Sequence, residues 1–230
     1  MINSRTVALA FFALPLAANA LNVGSVTTII PADKQLVAKQ LSNETDTGRL
    51  VKIFAQRINS PYSSGEVINF DSPSELLITP TRMIMPADSK NLVKIYYQGK
   101  SDNTERYYRL TFTDEPVSDN ATEQTGKQAQ ALTRAVISTI LVVQPRKKTL
   151  DFKYQNGQIS NTGNVSWRIT ANGPCQKKPI LDKKKDCRDA FYVPPGKTYL
   201  FPTVDVAAKE SYIGIWDIGK FIYVDKNNNF

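Results

Sequence analysis

The chain has 230 residues, a formal net charge of +8 and no histidine. Without histidine there is no Ser-His-Asp or Cys-His nucleophile, no histidine pH switch and no ligand for most zinc sites. No carboxylate pair has the context of glycosidase chemistry, so we expect no enzymatic activity, no catalytic residue, no metal site and no cofactor.

The first twenty residues are typical of a cleavable secretory signal. Arg5 precedes the apolar run Val7–Leu16, which is too short to span a bilayer, and an Ala-x-Ala sequence ends at Ala20. We therefore expect cleavage after Ala20 and export of a mature chain that begins at Leu21. An uncleaved membrane anchor is the alternative, but no stop-transfer pattern follows.

From residue 50 to residue 114 the sequence predicts short strands separated by turns. These strands are Leu50–Ala55, Glu66–Phe70, Leu76–Thr79, Arg82–Met85, Leu92–Tyr97 and Arg106–Asp114. In the last strand the side chains alternate between two faces, with Tyr108, Leu110 and Phe112 on one and Tyr107, Arg109 and Thr111 on the other. Strands that recur at intervals of roughly ten residues are typical of a β-sandwich.

A long polar segment, Asp114–Gln130, separates these strands from the apolar run Ala135–Val143. The run is rich in β-branched residues, which favour an extended backbone. Strands usually last about five or six residues. This run is longer, so we expect part of the strand to be available for binding another protein. We also expect the polar loop and the strand to act as one mobile unit.

The strand pattern breaks at Gln144-Pro145 and then restarts. The later predicted strands are Phe152–Tyr154, Gly157–Ser160, Val165–Thr170, Ala190–Val193, Tyr199–Phe201 and a closing hairpin of Tyr212–Trp216 and Phe221–Val224. Proline donates no hydrogen bond to a sheet and stiffens the chain, so we place the domain boundary here. The prediction is an all-β chain of two β-sandwich domains, residues 21–144 and 145–230, joined by a short hinge.

The second domain carries both cysteines and most of the positive charge. An exported chain meets an oxidising environment, so we expect a disulfide between Cys175 and Cys187 rather than two free thiols. Fifteen Lys or Arg face eight Asp or Glu from Arg146 to Phe230. In an exported chain this excess indicates a solvated basic surface or attraction to an acidic protein partner, and we expect no nucleic acid.

Five segments together resemble one known family. They are TDTGRLVKI, SPSELLITPTRMIMPA, ERYYRLTF, ISTILVVQPR and NGQISNTGNVSWRITANGPC. In their order and spacing they are similar to periplasmic pilus chaperones of the chaperone–usher pathway, in particular to the alternate branch that serves the common-pilus type of fimbria. The resemblance covers most of the mature chain and implies two immunoglobulin-like domains set at an angle.

The resemblance also implies a mechanism. Pilus subunits of this pathway lack their last strand and expose a hydrophobic groove, which the chaperone fills with its own strand until a subunit's N-terminal extension replaces it at the outer-membrane usher. The expected partners are fimbrial subunits and the usher, in the periplasm. Self-association of the free chain is a further expectation.

The donor strand should run through Ala129–Ile140, and two faces compete for the groove. One face carries Leu132, Arg134, Val136 and Ile140, and the other carries Ala131, Thr133, Ala135 and Ile137. We favour the second face near the loop, because a shallow groove accepts small residues and a buried Arg134 would need a partner. An ordinary edge strand that is not lent to another protein is the alternative.

Family members also bind the subunit's terminal carboxylate with basic residues in the cleft between the domains. The usual arginine of the first strand is missing from Asn22–Pro31, and the usual lysine is missing from Ile140–Val143. We therefore expect the carboxylate anchor among Arg49, Arg109 and Arg146, because a guanidinium holds a carboxylate with two parallel hydrogen bonds.

Two other classes of protein fit parts of the pattern. A fimbrial subunit or adhesin is also exported and β-rich, but it should carry a detached donor arm at its N-terminus, which Leu21–Ile30 does not resemble. An exported carbohydrate-active enzyme would need a positioned acid and base, and the sequence offers none.

Overall fold

The computed structural model describes residues 21–62, 64–117, 134–177 and 186–225. Every regular element in these ranges is a β-strand, and the strands form two immunoglobulin-like sandwiches in succession. The predicted all-β, two-sandwich architecture is therefore confirmed. The predicted signal segment, residues 1–20, lies outside the described residues.

The first sandwich packs a four-stranded sheet in the order β1-β3-β8-β6 against a six-stranded sheet in the order β2-β10-β9-β4-β5, with β7 also paired to β4. Its strands are β1 (Leu21–Asn22), β2 (Thr27–Ile30), β3 (Leu36–Asn43), β4 (Arg49–Ile58), β5 (Val67–Ile68), β6 (Leu76–Thr79), β7 (Arg82–Met85), β8 (Lys90–Tyr97), β9 (Arg106–Pro116) and β10 (Ala135–Val143).

The core of this sandwich lies between the two sheets. Tyr108, Leu110 and Phe112 of β9 are fully buried and face Leu41 and Ile95 of the other sheet within one apolar cluster. The alternation predicted for β9 is therefore present, and the face with Tyr108, Leu110 and Phe112 is the one that forms the core. Because the side-chain period is two, Tyr107, Arg109 and Thr111 all face the outside of the six-stranded sheet.

Strand β3 was not predicted from the sequence. Its apolar pattern is interrupted by Lys39, a residue that usually marks an exposed position. In the structure Lys39 is only 5% exposed, and its ammonium donates hydrogen bonds to the Ser25 carbonyl at 2.6 Å and to Thr28 Oγ1 at 3.3 Å. Burial lowers the pKa of Lys39. Two local acceptors thus allow a lysine to point inwards.

The second sandwich contains a three-stranded sheet, β11-β12-β15, and a four-stranded sheet, β14-β13-β16-β17. Its strands are β11 (Phe152–Gln155), β12 (Gln158–Asn161), β13 (Trp167–Pro174), β14 (Asp186–Val193), β15 (Thr198–Leu200), β16 (Tyr212–Asp217) and β17 (Lys220–Tyr223). Trp167 and Ile169 of β13 are buried in the core of this sandwich. The predicted disulfide is present, since Cys175 and Cys187 are bonded.

Several contacts lie where the two sandwiches meet. Lys148, in the segment that follows the hinge, forms an ion pair with Asp217 of β16. Glu105, only 8% exposed, accepts a hydrogen bond from the Ser166 N–H at 2.7 Å, and the Tyr107 hydroxyl donates to the same carboxylate at 2.7 Å. Burial raises the pKa of Glu105 and outweighs the hydrogen bonds from Ser166. These contacts fix the walls of the cleft between the domains.

Candidate functional site

Strand β10 is paired along its whole length on one side only. Ala135–Val143 pairs antiparallel with β9, whereas on the other side β2 pairs in parallel with Ile140–Val143 alone. Among the described residues no strand pairs with the β2 side of residues 135–139. An open strand edge of this kind is a template to which another chain can add by main-chain hydrogen bonds.

The side chains of β10 alternate between the core and the outside. Ile137 lies opposite Phe112 and packs against the first core, while Val136 lies opposite Thr113 and is 61% exposed. Ile140 lies opposite Arg109 on the same outward face as Val136. The outward apolar face is therefore the one that contains Val136 and Ile140.

In the described part of the strand, the face that we favoured points towards the first core. Ala135 shares the inward face with Ile137, because its cross-strand partner is Asp114 and residues of one parity share a face. A side chain that packs in the first core is not available to a partner without opening that core. The predicted donor residues Ala131, Leu132 and Thr133 lie outside the described residues.

Arg109 is the predicted anchor residue that lies on the outward face beside β10. It is half-buried and lies directly opposite Ile140, and its Nη2 donates to the Gly65 carbonyl at 3.2 Å. Gly65 belongs to the segment that joins β4 to β5, and Tyr62 of that segment contacts the second domain. Arg109 therefore lies near the cleft.

Arg49 has a different environment. Its Nε and Nη2 donate to the two carboxylate oxygens of Asp114, at 2.6 Å and 2.9 Å, and the Asp114 side chain is 1% exposed. Arg49 begins β4, whereas Ile58 at the far end of β4 pairs with Tyr107 beside the domain junction. Nine residues of extended chain, about 30 Å, separate the two ends.

Arg146 also has partners of its own. Its Nη1 donates to the carbonyls of Pro31 and Ala32, at 3.0 Å and 3.1 Å, and its guanidinium lies 5.2 Å from the centre of the Tyr97 ring. These contacts hold the segment that follows β2 against the hinge. The structure thus separates the three predicted arginines and brings Arg109 alone beside β10.

A cavity of about 280 Å³ lies where the two domains meet. Its apolar lining includes Ile29, Ile140 and Val142 from the first domain and Phe191, Tyr192 and Tyr199 from the second. The Tyr62 hydroxyl bridges the domains by hydrogen bonds to the Tyr199 hydroxyl and to the Tyr192 carbonyl, the latter at 3.4 Å. The outward face of β10 therefore continues into an apolar cleft.

Polar groups in this cleft are few. The Gln144 side chain lines the cavity, its residue is 3% exposed, and its Oε1 has no hydrogen-bond partner. Among the described ranges no group of three or more His, Cys, Asp or Glu side chains could hold a metal ion. The described residues also contain no helix long and apolar enough to cross a membrane.

Two family models cover nearly all of the described chain. The model for "Pili and flagellar-assembly chaperone, PapD N-terminal domain" matches residues 20–148, and the model for "EcpB C-terminal domain" matches residues 150–224. The "Probable fimbrial chaperone EcpB" of Escherichia coli K12 is 39% identical over 207 residues, which cover 90% of this chain and 92% of that protein. The chain belongs to the fimbrial chaperone family.

Solved structures share the fold of this fimbrial chaperone. The class 5 fimbriae chaperone CfaA aligns with a TM-score of 0.53 and 16% identity, covering 89% of this chain and 98% of that one. A chain of a Salmonella enterica SafA pilin–SafB chaperone complex aligns with a TM-score of 0.51 and 14% identity, covering 86% and 89%. Family membership favours a chaperone of pilus assembly over the alternative of a structural fimbrial subunit.

The tyrosines that line the cleft of this chaperone were not predicted from the sequence. Tyr62 lies in a turn and Tyr199 in a short strand of the second domain, and neither position carries a periodicity that links the two. The available signal was residue type, because tyrosine is enriched at interfaces, where its ring offers an apolar body and a polar tip.

Proposed function

We propose that this fimbrial chaperone holds one unassembled fimbrial subunit by adding β10 to an open sheet of that subunit. The observation that carries the proposal is the half-paired state of β10. Residues 135–139 lack a described strand on the β2 side, and Val136 is 61% exposed there.

The two properties serve different parts of binding. The open backbone edge can form main-chain hydrogen bonds with a partner strand of any sequence. The alternate outward side chains determine which groove the strand fits. Val136 and Ile140 supply apolar groups on that face, and Ser138 lies between them.

Arg109 is the residue that we propose to bind the subunit's terminal carboxylate. Its guanidinium has five N–H donors, of which one donates to the Gly65 carbonyl. A strand added along β10 toward the cleft would bring its end close to Ile140, which lies opposite Arg109. Arg49 is less suited, because its guanidinium is bound by the buried Asp114 carboxylate.

The binding of an incomplete subunit also explains the cellular role of the chaperone. A subunit that lacks a strand exposes apolar surface and unpaired edges that aggregate, so a chaperone must cover them in the periplasm until an outer-membrane usher receives the subunit. This role needs no catalytic step. The sequence has no histidine, and both cysteines are bonded to each other; both observations support a non-enzymatic protein.

The test is co-expression with a fimbrial subunit encoded beside this chaperone. The wild-type chain should yield a soluble one-to-one complex from the periplasm. Val136→Asp places a charge on the exposed face of β10 and should abolish recovery of the complex while the chaperone itself stays folded. Leu92→Asp, at an equally exposed apolar position (56%) on β8 of the other sheet, is the matched control. Normal recovery with Val136→Asp would contradict the proposal.

A further inference from the structure

The outward face of the β14-β13-β16-β17 sheet carries a cluster of exposed rings, which we call the aromatic wall. Tyr223 is 72% exposed, Tyr212 48%, and Tyr192 and Trp216 44% each, and Phe221 lies between them. Large exposed aromatic groups with a polar rim mark interaction surfaces in soluble proteins. The donor-strand mechanism does not use these rings.

Contacts between the rings hold the wall in one arrangement. The Phe221 ring lies 4.7 Å from the ring of Trp216 and 4.7 Å from that of Tyr223, centre to centre. It also covers Gly214, where an added Cβ would be 2.0 Å from the Phe221 ring. Any other residue at 214 would displace Phe221. The wall is thus ordered before a partner binds, which lowers the entropic cost of binding.

The central part of the wall carries positive charge, and Asp186 lies on the same face at its edge, two residues before Arg188 in β14. Three rows of side chains run across the strands of the wall, and the charged side chains among their described residues are Arg168 and Arg188. Arg168 lies between Tyr192 and Trp216, and Arg188 lies two strands from Tyr212 in the same row. Asp217 follows Trp216 but points to the other side, where it pairs with Lys148. A neutral or acidic protein surface therefore complements the wall.

The wall is continuous with the cleft beside β10. Tyr192 lines the interdomain cavity together with Ile140 of β10. Tyr192 and Trp216 also line a neighbouring cavity together with Ile29 and Gln144 of the first domain. A protein that lies along the outward face of β10 and enters the cleft thus meets the aromatic wall next.

We propose that the aromatic wall is the second half of the subunit-binding surface, and that the subunit held by β10 also lies against it with a neutral or acidic face. This inference rests on the proposed function. It assigns to the second domain a direct part in holding the subunit, through Trp216, Tyr212 and Tyr223 with Arg168 and Arg188 as the charged groups.

The two tryptophans of the chain provide the test. Trp167 is 1% exposed in the second core and Trp216 is 44% exposed on the wall. The chaperone is labelled with 5-fluorotryptophan, combined with unlabelled subunit, and examined by ¹⁹F NMR with a soluble gadolinium chelate that broadens accessible resonances. Trp216→Phe assigns the two signals. We expect the Trp216 signal to be broadened in the free chaperone and protected in the complex, with Trp167 unchanged.

The outcomes separate this inference from the proposed function. A one-to-one complex in which Trp216 stays as accessible as in the free chaperone would contradict binding of the subunit to the aromatic wall and leave the proposal of strand donation intact. Failure to form any complex would overturn both. Protection of Trp216 in the free chaperone that grows with its concentration would show that a second copy, rather than the subunit, covers the wall, and would also overturn the inference.

A second measurement uses side chains that contribute little to folding. Tyr212→Ser with Tyr223→Ser should speed the loss of subunit from the purified complex about tenfold, because aromatic anchors dominate protein interfaces. Leu200→Ser removes a comparably exposed apolar side chain (62%) from the other sheet of the same domain. Equal loss rates for the Tyr212/Tyr223 variant and the Leu200 variant would contradict the proposal.

Discussion

Val136 and Ile137 are neighbours in β10, yet their side chains lie on opposite sides of the six-stranded sheet. Ile137 packs against Phe112 in the first core, while Val136 faces the outside opposite Thr113. One strand therefore contributes to the chaperone's own core with one face and offers the other to a partner. The two roles can be separated by substitution.

The first prediction concerns stability. Ile137→Ala removes a partly buried side chain and should lower the free energy of unfolding by about 2 kcal/mol. Val136→Ala removes an exposed one and should change it by less than about 0.5 kcal/mol. Chemical denaturation of the free chaperone measures both. A larger loss for Val136→Ala would mean that the faces are assigned the wrong way round.

The second prediction concerns Arg109. Arg109→Ala should weaken capture of a synthetic peptide of the subunit's C-terminal residues with a free terminal carboxylate, because one charge-assisted contact is lost. The same peptide with a terminal amide should bind wild type and variant equally. Arg82→Ala, an exposed arginine on β7, is the control. If the amide and the carboxylate peptides lose affinity to the same extent, Arg109 does not bind the carboxylate.

The third prediction separates Arg49 from the anchor. Asp114→Asn leaves the Arg49 guanidinium, 11% exposed at its side chain, without its buried charge partner. The free energy of unfolding should fall by about 3 kcal/mol, as for other buried pairs broken on one side. Folded protein should still capture the carboxylate peptide normally. Unchanged stability together with lost carboxylate preference would return Arg49 to the anchor role.

The fourth prediction uses the raised pKa of Glu105. A carboxyl group whose pKa is higher in the folded state than the usual 4.5 stabilises the fold below that value, and this stabilisation is lost as the pH rises through the folded pKa. Glu105→Gln removes the titration. The stability of wild type relative to this variant should therefore fall as the pH rises above 4.5, measured by denaturation at each pH. A difference that stays constant or rises with pH would contradict the assignment.

Much of the fold was predictable because its strands alternate cleanly. The alternation of β9 was predicted from the sequence, and its more apolar face, with Tyr108, Leu110 and Phe112, is the one buried in the core. The strand β3 was missed because Lys39 points inwards, where two acceptors bind its ammonium. These acceptors come from β2 and from the loop before it, and they cannot be read from the pattern of β3 itself.

The candidate site was predictable in position but not in orientation. The sequence located the strand, yet parity alone does not say which face meets the core. The pairing of Ile137 with Phe112 decides this, and it depends on the register between β9 and β10. The anchor residue could not be predicted for a similar reason. Arg49 begins β4, and only the tertiary structure shows that the other end of β4 lies at the second domain.

The most direct test of the account is the accessibility of position 136 in the complex. Both native cysteines are bonded, so Val136→Cys introduces a single free thiol, and Leu92→Cys provides a matched control. Both thiols should react rapidly with a maleimide in the free chaperone. In the one-to-one complex with its subunit, the thiol at 136 should be protected and the thiol at 92 should react as before. Equal reactivity of the thiol at 136 with and without bound subunit would contradict the lending of β10.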